Sequence, residues 1–126
     1  MVAKRYVKAR HEAKAAGFLV RRHMDPTLAD NLPSIGYIVP GVAMGFLRKI
    51  EGGQGLLDSF ITNPRAPAEL RNQALDIITQ KLLDKAQKLN INQILAFSVD
   101  ENTIMRGQRF GFITCPHAVI ALNLKK

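Results

Sequence analysis

Few residues of this 126-residue chain have the type and spacing that chemistry requires. His11, His23 and His117 are far apart and lack the short spacing of metal ligands, so no metal is expected. Cys115 is the single cysteine, which excludes an internal disulfide and is typical of a core position. No Walker loop, dinucleotide fingerprint or HExxH motif is present.

Positive charge is concentrated in the first 24 residues of a chain whose formal net charge is +8. Residues 25–126 are close to neutral, whereas residues 1–24 contain a single acidic side chain, Glu12. Such asymmetry is typical of contact with nucleic acid, an acidic partner or an anionic surface, and equally of a solvated basic helix. The expected contact residues are Lys4, Arg5, Lys8, Arg10, Lys14, Arg21 and Arg22.

Length and composition indicate one folded domain over residues 1–126. The hydrophobic fraction of 47% argues against wholesale disorder. No apolar run reaches the ~18 residues that a membrane span needs, and the start has no apolar core of a secretory signal. We therefore expect no membrane association and a reducing, cytoplasmic setting.

Hydrophobic periodicity predicts the elements that position any site. Within residues 1–24 it predicts a basic surface helix over 2–16, ended by Gly17, and an extended segment over 18–24. Three strands joined by tight turns follow a short helix over 27–31, and the strands are predicted at 35–39, 42–50 and 54–62.

The second half of the chain contains a long amphipathic helix. Apolar residues at helical spacing predict this helix over 67–89. It precedes a strand buried on both faces, a short helix and one or two further strands, predicted at 92–99, 101–109 and 112–124. A meander followed by a crossover helix and another strand predicts an α/β fold with a mixed, mostly antiparallel central sheet flanked by helices.

The order of these elements and three stretches of sequence resemble the GNAT family of acyl-coenzyme A N-acyltransferases. The stretches are GVAMGFL at 41–47, DSFITNP at 58–64 and ILAFSVDENTIMRGQRFGF at 94–112. The resemblance implies that acetyl-CoA lies between the fourth and fifth strands, with its pyrophosphate at the start of the long helix. It implies an amine as acceptor. The implied catalytic residues are Asp58, which could act as a base or be a surface carboxylate on a half-exposed strand, and Asn102, which with Asp100 is one of two equivalents of the family's helical asparagine. The implied cofactor-binding residues are Phe60, Ile61, Thr62, Arg65, Arg71, Asn72, Gln73 and Ala74.

The sequence departs from the family pattern at two places. In the window 70–75, Gln73 and Leu75 stand where the family has glycine or a small residue, and side chains there would crowd a phosphate. The family's tyrosine acid corresponds to Gly107, which has no hydroxyl.

Three functions therefore stay open. The first is an N-acetyltransferase acting on an amine. The second is an inactive GNAT-like structural or binding protein, for example a phage virion component, that contacts DNA, a protein partner or another copy of itself. The third is a nucleic-acid-binding protein acting through residues 1–24.

Overall fold

The computed structural model describes residues 1–98 and 100–114. Its elements follow one another with short connections. In chain order they are β1 (Lys4–Arg5), α1 (Lys8–Arg21), a 3-10 helix (Pro26–Asn31), β2 (Ile35–Val39), β3 (Ala43–Ile50), β4 (Gln54–Thr62), α2 (Ala68–Lys88), β5 (Gln93–Ala96) and α3 (Glu101–Arg109).

The five strands form one sheet in the order β1-β2-β3-β4-β5. Neighbouring strands are antiparallel except β4 and β5, which are parallel because α2 carries the chain back between them. The predicted mixed, mostly antiparallel sheet flanked by helices is confirmed. The predicted strands at 35–39, 42–50 and 54–62 and the helices at 67–89 and 101–109 are also confirmed, to within one residue at each end.

Alternation along β3 divides the core into two layers. Ala43 and Leu47 pack under α2 against its fully buried residues Ile78 and Leu82. Met44 and Phe46, which alternate with them along β3, face the opposite layer, which belongs to α1 and the 3-10 helix. That layer contains Phe18, Leu19, Met44, Phe46 and Ile61. The sheet is therefore covered on both faces, as the two-layer burial of an α/β domain requires.

The predicted extended segment over 18–24 is wrong. The first helix runs through Gly17 to Arg21, and Phe18 and Leu19 are buried against the sheet. Burial of these two side chains outweighs the cost of about 1 kcal/mol that a glycine imposes inside a helix. The predicted helix start is wrong as well, because Lys4 and Arg5 pair with β2 as an edge strand. Residues 1–21 are thus part of the sheet and its helical layer, not an appended helix.

The last predicted strands also differ from expectation. Instead of a strand over 92–99 that is buried on both faces, β5 spans Gln93–Ala96, and its two central residues are only half-buried. Within the described residues β5 has β4 as its sole neighbour, which leaves its other edge uncovered. Residues 112–114 of the predicted strand region are irregular, and the rest of it, with Cys115 and His117, lies outside the described residues.

Two glycines provide a matched test of this packing. A Cβ on Gly45 would lie 2.6 Å from a ring carbon of Phe60 and 2.7 Å from Cγ2 of Ile78, whereas nothing lies within 4 Å of one on Gly17. Gly45→Ala is expected to lower the free energy of unfolding by about 1–3 kcal/mol through overpacking. Gly17→Ala is expected to raise it by about 0.5–1 kcal/mol, because alanine favours a helix interior. Urea unfolding of both variants measures the two effects, and equal destabilisation would contradict this packing.

Candidate functional site

The parallel pairing of β4 with β5 stops halfway along β4. It runs from Gln54 opposite Gln93 to Leu57 opposite Ala96. The antiparallel pairing of β4 with β3 continues to Thr62. Beyond Leu57 β4 continues without β5, which ends at Ala96, and the edge of β4 over residues 58–62 has no strand beside it in the described part of the chain. An open edge presents backbone donors and acceptors to any ligand that lies along it.

A β-bulge lies in the same half of β4. Met44 pairs with Ile61 and Phe46 pairs with Asp58, so Ser59 and Phe60 together face the single residue Gly45. Ser59 has a φ of 57°, a left-handed conformation that a non-glycine residue adopts only under constraint from its surroundings. Bulges bend a strand and redirect its side chains, and they are frequent beside active sites.

The start of α2 leaves backbone amides available. Its N-cap residue is Pro67, which makes no side-chain capping bond. Arg71 is the first helical residue whose N–H donates to a backbone acceptor, the carbonyl of Pro67 at 3.0 Å. The amides of residues 68–70 have no acceptor within the described residues, and such amides together with the helix dipole attract anions. Glu69 adds one carboxylate to this first turn.

The start of α2 lies before most of the predicted pyrophosphate-binding window, residues 70–75. Because α2 begins at Ala68, Gln73 and Leu75 lie in its second turn, not at its N-terminus. The free amides belong to residues 68–70, so only the first residue of the predicted window 70–75 has one. Gln73 is exposed, and Leu75 packs against the core layer of α2. Neither side chain stands at the helix start, where we expected it to crowd a ligand.

Several predicted cofactor residues already have protein partners. Arg71 donates from Nη1 to the carbonyls of Pro64 and Ala66, at 3.1 and 2.7 Å, and so fixes the loop before α2. The side-chain oxygen of Asn72 accepts from Arg106 at 3.1 Å. Ala74 is fully buried on the face of α2 that packs against the sheet.

The others lie around the end of β4. Phe60 is 38% exposed, and Ile61 is buried towards α1. Thr62 is half-buried, and the Arg65 side chain is exposed in the loop before α2.

Asn63 organises the junction between β4 and α2, and sequence reasoning missed it. Its amide nitrogen donates to the carbonyl of Gly41 at 2.9 Å. Its Oδ1 accepts from the backbone N–H of Arg65 and from Nη1 of Arg21, both at 3.1 Å. This buried side chain therefore joins α1, the β2–β3 turn and the loop before α2. Asparagine beside Pro64 signals only a turn in the sequence, so no local pattern indicates these contacts.

The structure divides the seven predicted contact residues into separate groups. Arg21 and Arg22, at the end of α1, bind the end of β4. Arg22 donates from Nε to the carbonyl of Thr62 at 3.0 Å and from Nη2 to its hydroxyl. Lys8 contacts Glu12 at 3.7 Å and the carbonyl of Asp30 at 3.3 Å. The remaining four are exposed, two on β1 and two on α1, and they are Lys4, Arg5, Arg10 and Lys14.

Asp58, the predicted base, forms an ion pair. Its Oδ2 accepts from Nε of Arg48 at 3.1 Å, and its Oδ1 accepts from the Ser59 hydroxyl at 2.9 Å. Arg48 also approaches the carbonyl of Asn31, at 3.4 Å. The pairing of Asp58 with Phe46 places its side chain on the face of the sheet that α1 covers. Both carboxylate oxygens therefore accept bonds from the protein.

A cavity of about 270 Å³ lies on the same face, between α1, the 3-10 helix and the bulge. Its walls are mostly apolar, from Leu19, Met24, Leu28 and neighbouring residues, and its polar members are Arg22, Asn31 and Ser59. Among the described residues no carboxylate lines it. Arg48 links the cavity to Asp58 through its contact with Asn31, so Asp58 lies just beyond the cavity wall.

The other predicted catalytic residue, Asn102, is exposed on α3 and shares no hydrogen bond with Asp58 in the described residues. Asp100 caps this helix through Oδ2, which accepts from the hydroxyl and the backbone N–H of Thr103 at 2.8 and 3.0 Å. The bond from the Thr103 hydroxyl, and to a smaller extent the bond from the Thr103 backbone N–H, lowers the pKa of Asp100. Asp100 is therefore an ionised cap. At Gly107 an added Cβ would lie 3.5 Å from Cβ of Phe112.

Asp76 on α2 holds α3 in place. Its Oδ1 accepts from Nε of Arg106 and from Nη2 of Arg109, both at 3.1 Å. Arg106 is mostly buried, with 13% of its side chain exposed, so this contact is shielded from water more than an ordinary surface pair. One carboxylate thus fixes the helix that follows β5 against the helix that follows β4.

Two further findings concern the described residues only. No cluster of three or more histidine, cysteine, aspartate or glutamate side chains there could hold a metal ion. No helix there has the length and apolar character needed to cross a membrane.

Comparison with known proteins finds likeness in structure alone. No protein-family model matches the chain, and no curated protein sequence does. Solved structures match over essentially their whole length. One is TTHA1254 from Thermus thermophilus, crystallised as a point mutant, with a TM-score of 0.72 at 9% identity, covering 100% of this chain and 99% of that one. Another is a Trypanosoma brucei acetyltransferase, with a TM-score of 0.62 at 12% identity, covering 98% and 99%.

A third match is a protein of Agrobacterium tumefaciens C58 that is assigned as an acetyltransferase. Its TM-score is 0.70 at 8% identity, and the match covers 98% of this chain and 100% of that one. Because each match covers nearly the whole chain, the likeness extends through the whole order of elements. The chain therefore has the GNAT fold, at a sequence identity to these structures of only 8–12%.

The Asp76 contact predicts a local effect on α3. Asp76→Asn removes the charge that binds Arg106 and Arg109, so we expect amide exchange within α3 to become about fivefold faster, or about 1 kcal/mol of local opening free energy. Asp84→Asn is the matched control, because among the described residues Asp84 bonds to Gln80 alone, on the exposed side of α2. Hydrogen exchange followed by mass spectrometry measures both, and unchanged exchange in α3 would contradict this assignment.

Proposed function

We propose that this chain is an N-acetyltransferase that binds acetyl-CoA between β4 and β5 and acetylates an amine. The observation that carries the proposal is the end of β4–β5 pairing at Leu57 while β4 continues to Thr62. Where this pairing ends, one edge of β4 is open, and this edge leads to the uncapped start of α2. An extended ligand with amide groups and a diphosphate at one end matches both features.

The residues present fit such a cofactor. The free amides of residues 68–70 would hold its diphosphate, with the exposed Arg65 beside them, and the edge of β4 over 58–62 would bind its amide groups. When bound, acetyl-CoA supplies the acetyl group as an activated thioester. Glu69 is the one unfavourable charge in this first turn, and its exposed side chain is free to turn away from the ligand.

The acceptor would occupy the cavity beneath α1. Its apolar walls favour the uncharged form of an amine, because no carboxylate among the described lining residues would stabilise an ammonium ion. Asp58, just beyond the wall, would accept the proton through water, and the Ser59 hydroxyl and Arg48 fix the orientation of its carboxylate. In this proposal Asp58 is the base, and Asn102 has no role.

A single position tests cofactor binding without risk to the fold. Ala68→Asp places a carboxylate among the free amides of α2, where it favours the helix dipole by about 0.3–1 kcal/mol but repels a diphosphate. We expect wild type to gain about 2.7 kcal/mol of stability at an acetyl-CoA concentration of about 100 Kd, and the variant to gain far less. Ala68→Asn, of nearly the same shape and without charge, is the control. Absence of any thermal shift in wild type at millimolar acetyl-CoA would overturn the proposal.

A second candidate is a protein that binds acetyl-CoA without turning it over. Two observations favour it. Gly107 stands at the α3 position where the family has a tyrosine, so no hydroxyl is present there. Arg48 and Ser59 donate hydrogen bonds to the two carboxylate oxygens of Asp58. In this case the cavity would hold a ligand or a protein partner, with no reaction.

Steady-state acetylation separates the two candidates. A transferase releases free thiol from acetyl-CoA when apolar amines are supplied, and Asp58→Asn should lower kcat by about 10²-fold with cofactor affinity unchanged. The matched control is Asp84→Asn, which alters an exposed carboxylate of α2 that bonds only to Gln80. Tight binding of acetyl-CoA with no thiol release for any amine would instead support the binding protein.

A further inference from the structure

Two arginines at the end of α1 are bound to the site by neutral acceptors alone. Arg21 contacts the amide oxygen of Asn63, and Arg22 contacts the carbonyl and hydroxyl oxygens of Thr62. Ion pairs elsewhere in the described residues use Lys8, Arg48, Arg106 and Arg109, and none of them includes Arg21, Arg22 or Arg65. Arg21 and Arg22 therefore place two positive charges at the end of β4, with no carboxylate paired to them in the described residues.

The Arg22 guanidinium lies at the open edge of β4. Asn63 donates its N–H to Val42 beside β3, so the backbone groups of the preceding residue, Thr62, point away from β3. The Thr62 side chain lies on the face covered by α2, as does that of its partner Ala43, whereas Arg22 comes from the opposite face. To reach both oxygens of Thr62, Arg22 must lie at the edge where β4 has no neighbouring strand in the described part of the chain.

Asn63 brings the second arginine to the same place. Its Oδ1 binds the Arg21 guanidinium and the backbone N–H of Arg65 at once, so both groups lie close to this oxygen. Arg65 itself precedes the first free amide of α2 by three positions. The bonds to protein use one nitrogen of Arg21 and two of Arg22, which leaves N–H groups of both guanidinium forks for another acceptor.

We infer that Arg21 and Arg22 form an arginine clamp that binds the diphosphate of the ligand through side chains. Planar guanidinium groups bind phosphate oxygens in two-pronged, charge-assisted bonds, and protein contacts that already fix the fork reduce the entropy lost on binding. The clamp supplies phosphate contacts that a glycine-rich loop would supply from its backbone. The inference rests on the proposed function for the identity of the ligand, and on the contacts above for the clamp itself.

Charge-matched double variants test the clamp. Arg21→Gln with Arg22→Gln removes two charges from it, and Arg10→Gln with Lys14→Gln removes two from exposed positions of the same helix. Isothermal titration with acetyl-CoA and with inorganic pyrophosphate should show affinity about 10- to 100-fold weaker for the clamp variant and nearly unchanged for the control. Arg22→Lys keeps the charge but not the fork, so it should lose an intermediate amount.

The two probes separate failure of the clamp from failure of the proposed function. Acetyl-CoA affinity that falls equally in both double variants, or in neither, overturns the clamp and leaves cofactor binding intact. Pyrophosphate binding that depends on the clamp, without acetyl-CoA binding, supports the clamp and overturns the proposed function. Wild type that binds neither probe overturns both.

Two controls complete the design. Thermal unfolding checks that each variant is folded, and Arg22→Lys provides the comparison if the double variant is not. A single-stranded oligonucleotide that binds wild type, while pyrophosphate does not, would assign the arginines to nucleic acid and overturn the inference.

Discussion

The structure depends on the two different partners of β4. Along its whole length β4 must pair with β3, whereas it pairs with β5 only as far as Leu57. A strand with both edges paired cannot bind a ligand through its backbone, and a strand with neither edge paired is not held in place. By losing one partner halfway, β4 stays fixed by β3 and still offers donors and acceptors over residues 58–62. The bulge at Ser59 and Phe60 lies within this half, where pairing on one side alone tolerates an extra residue.

The open half of β4 is fixed from the two helical layers. Ile61 packs into the layer of α1, and the Phe60 ring lies over Gly45 beside Ile78 of α2. At its end, Asn63 and Thr62 accept bonds from two arginines of α1, while Asn63 also binds the β2–β3 turn. A buried amide whose donor and acceptor atoms are both bonded contributes rigidity, since breaking any one bond exposes an unsatisfied polar group. The strand edge is therefore open and rigid at once, as a preformed site requires.

Sequence patterns predicted the elements better than the site. Strand alternation and the helical spacing of α2 depend on neighbours a few residues apart, so they can be read locally. Gly17 and the basic residues predict a helix that ends before Phe18. The prediction is wrong because the partners that bury Phe18 and Leu19 lie on β3 and β4, far along the chain. The site consists mainly of such distant contacts. Nothing near Asn63 indicates that it binds Gly41 and Arg21, and nothing near Asp58 indicates that Arg48 pairs with it.

The same difference between the elements and the site explains why structures with TM-scores of 0.62–0.72 share only 8–13% sequence identity with this chain. The sheet, with the end of β4–β5 pairing at Leu57, depends on backbone pairing and on apolar side chains of suitable size, which many sequences supply. Chemistry depends on particular side chains, and here those differ from the family pattern, since glycines are absent from the start of α2 and Gly107 has no hydroxyl. A ligand's diphosphate can be bound by backbone amides or by guanidinium groups, so loss of the glycines need not mean loss of binding. The hydroxyls on the open half of β4 already have protein partners, since that of Ser59 donates to Asp58 and that of Thr62 accepts from Arg22. Binding of a ligand at this edge and its turnover therefore depend on different residues.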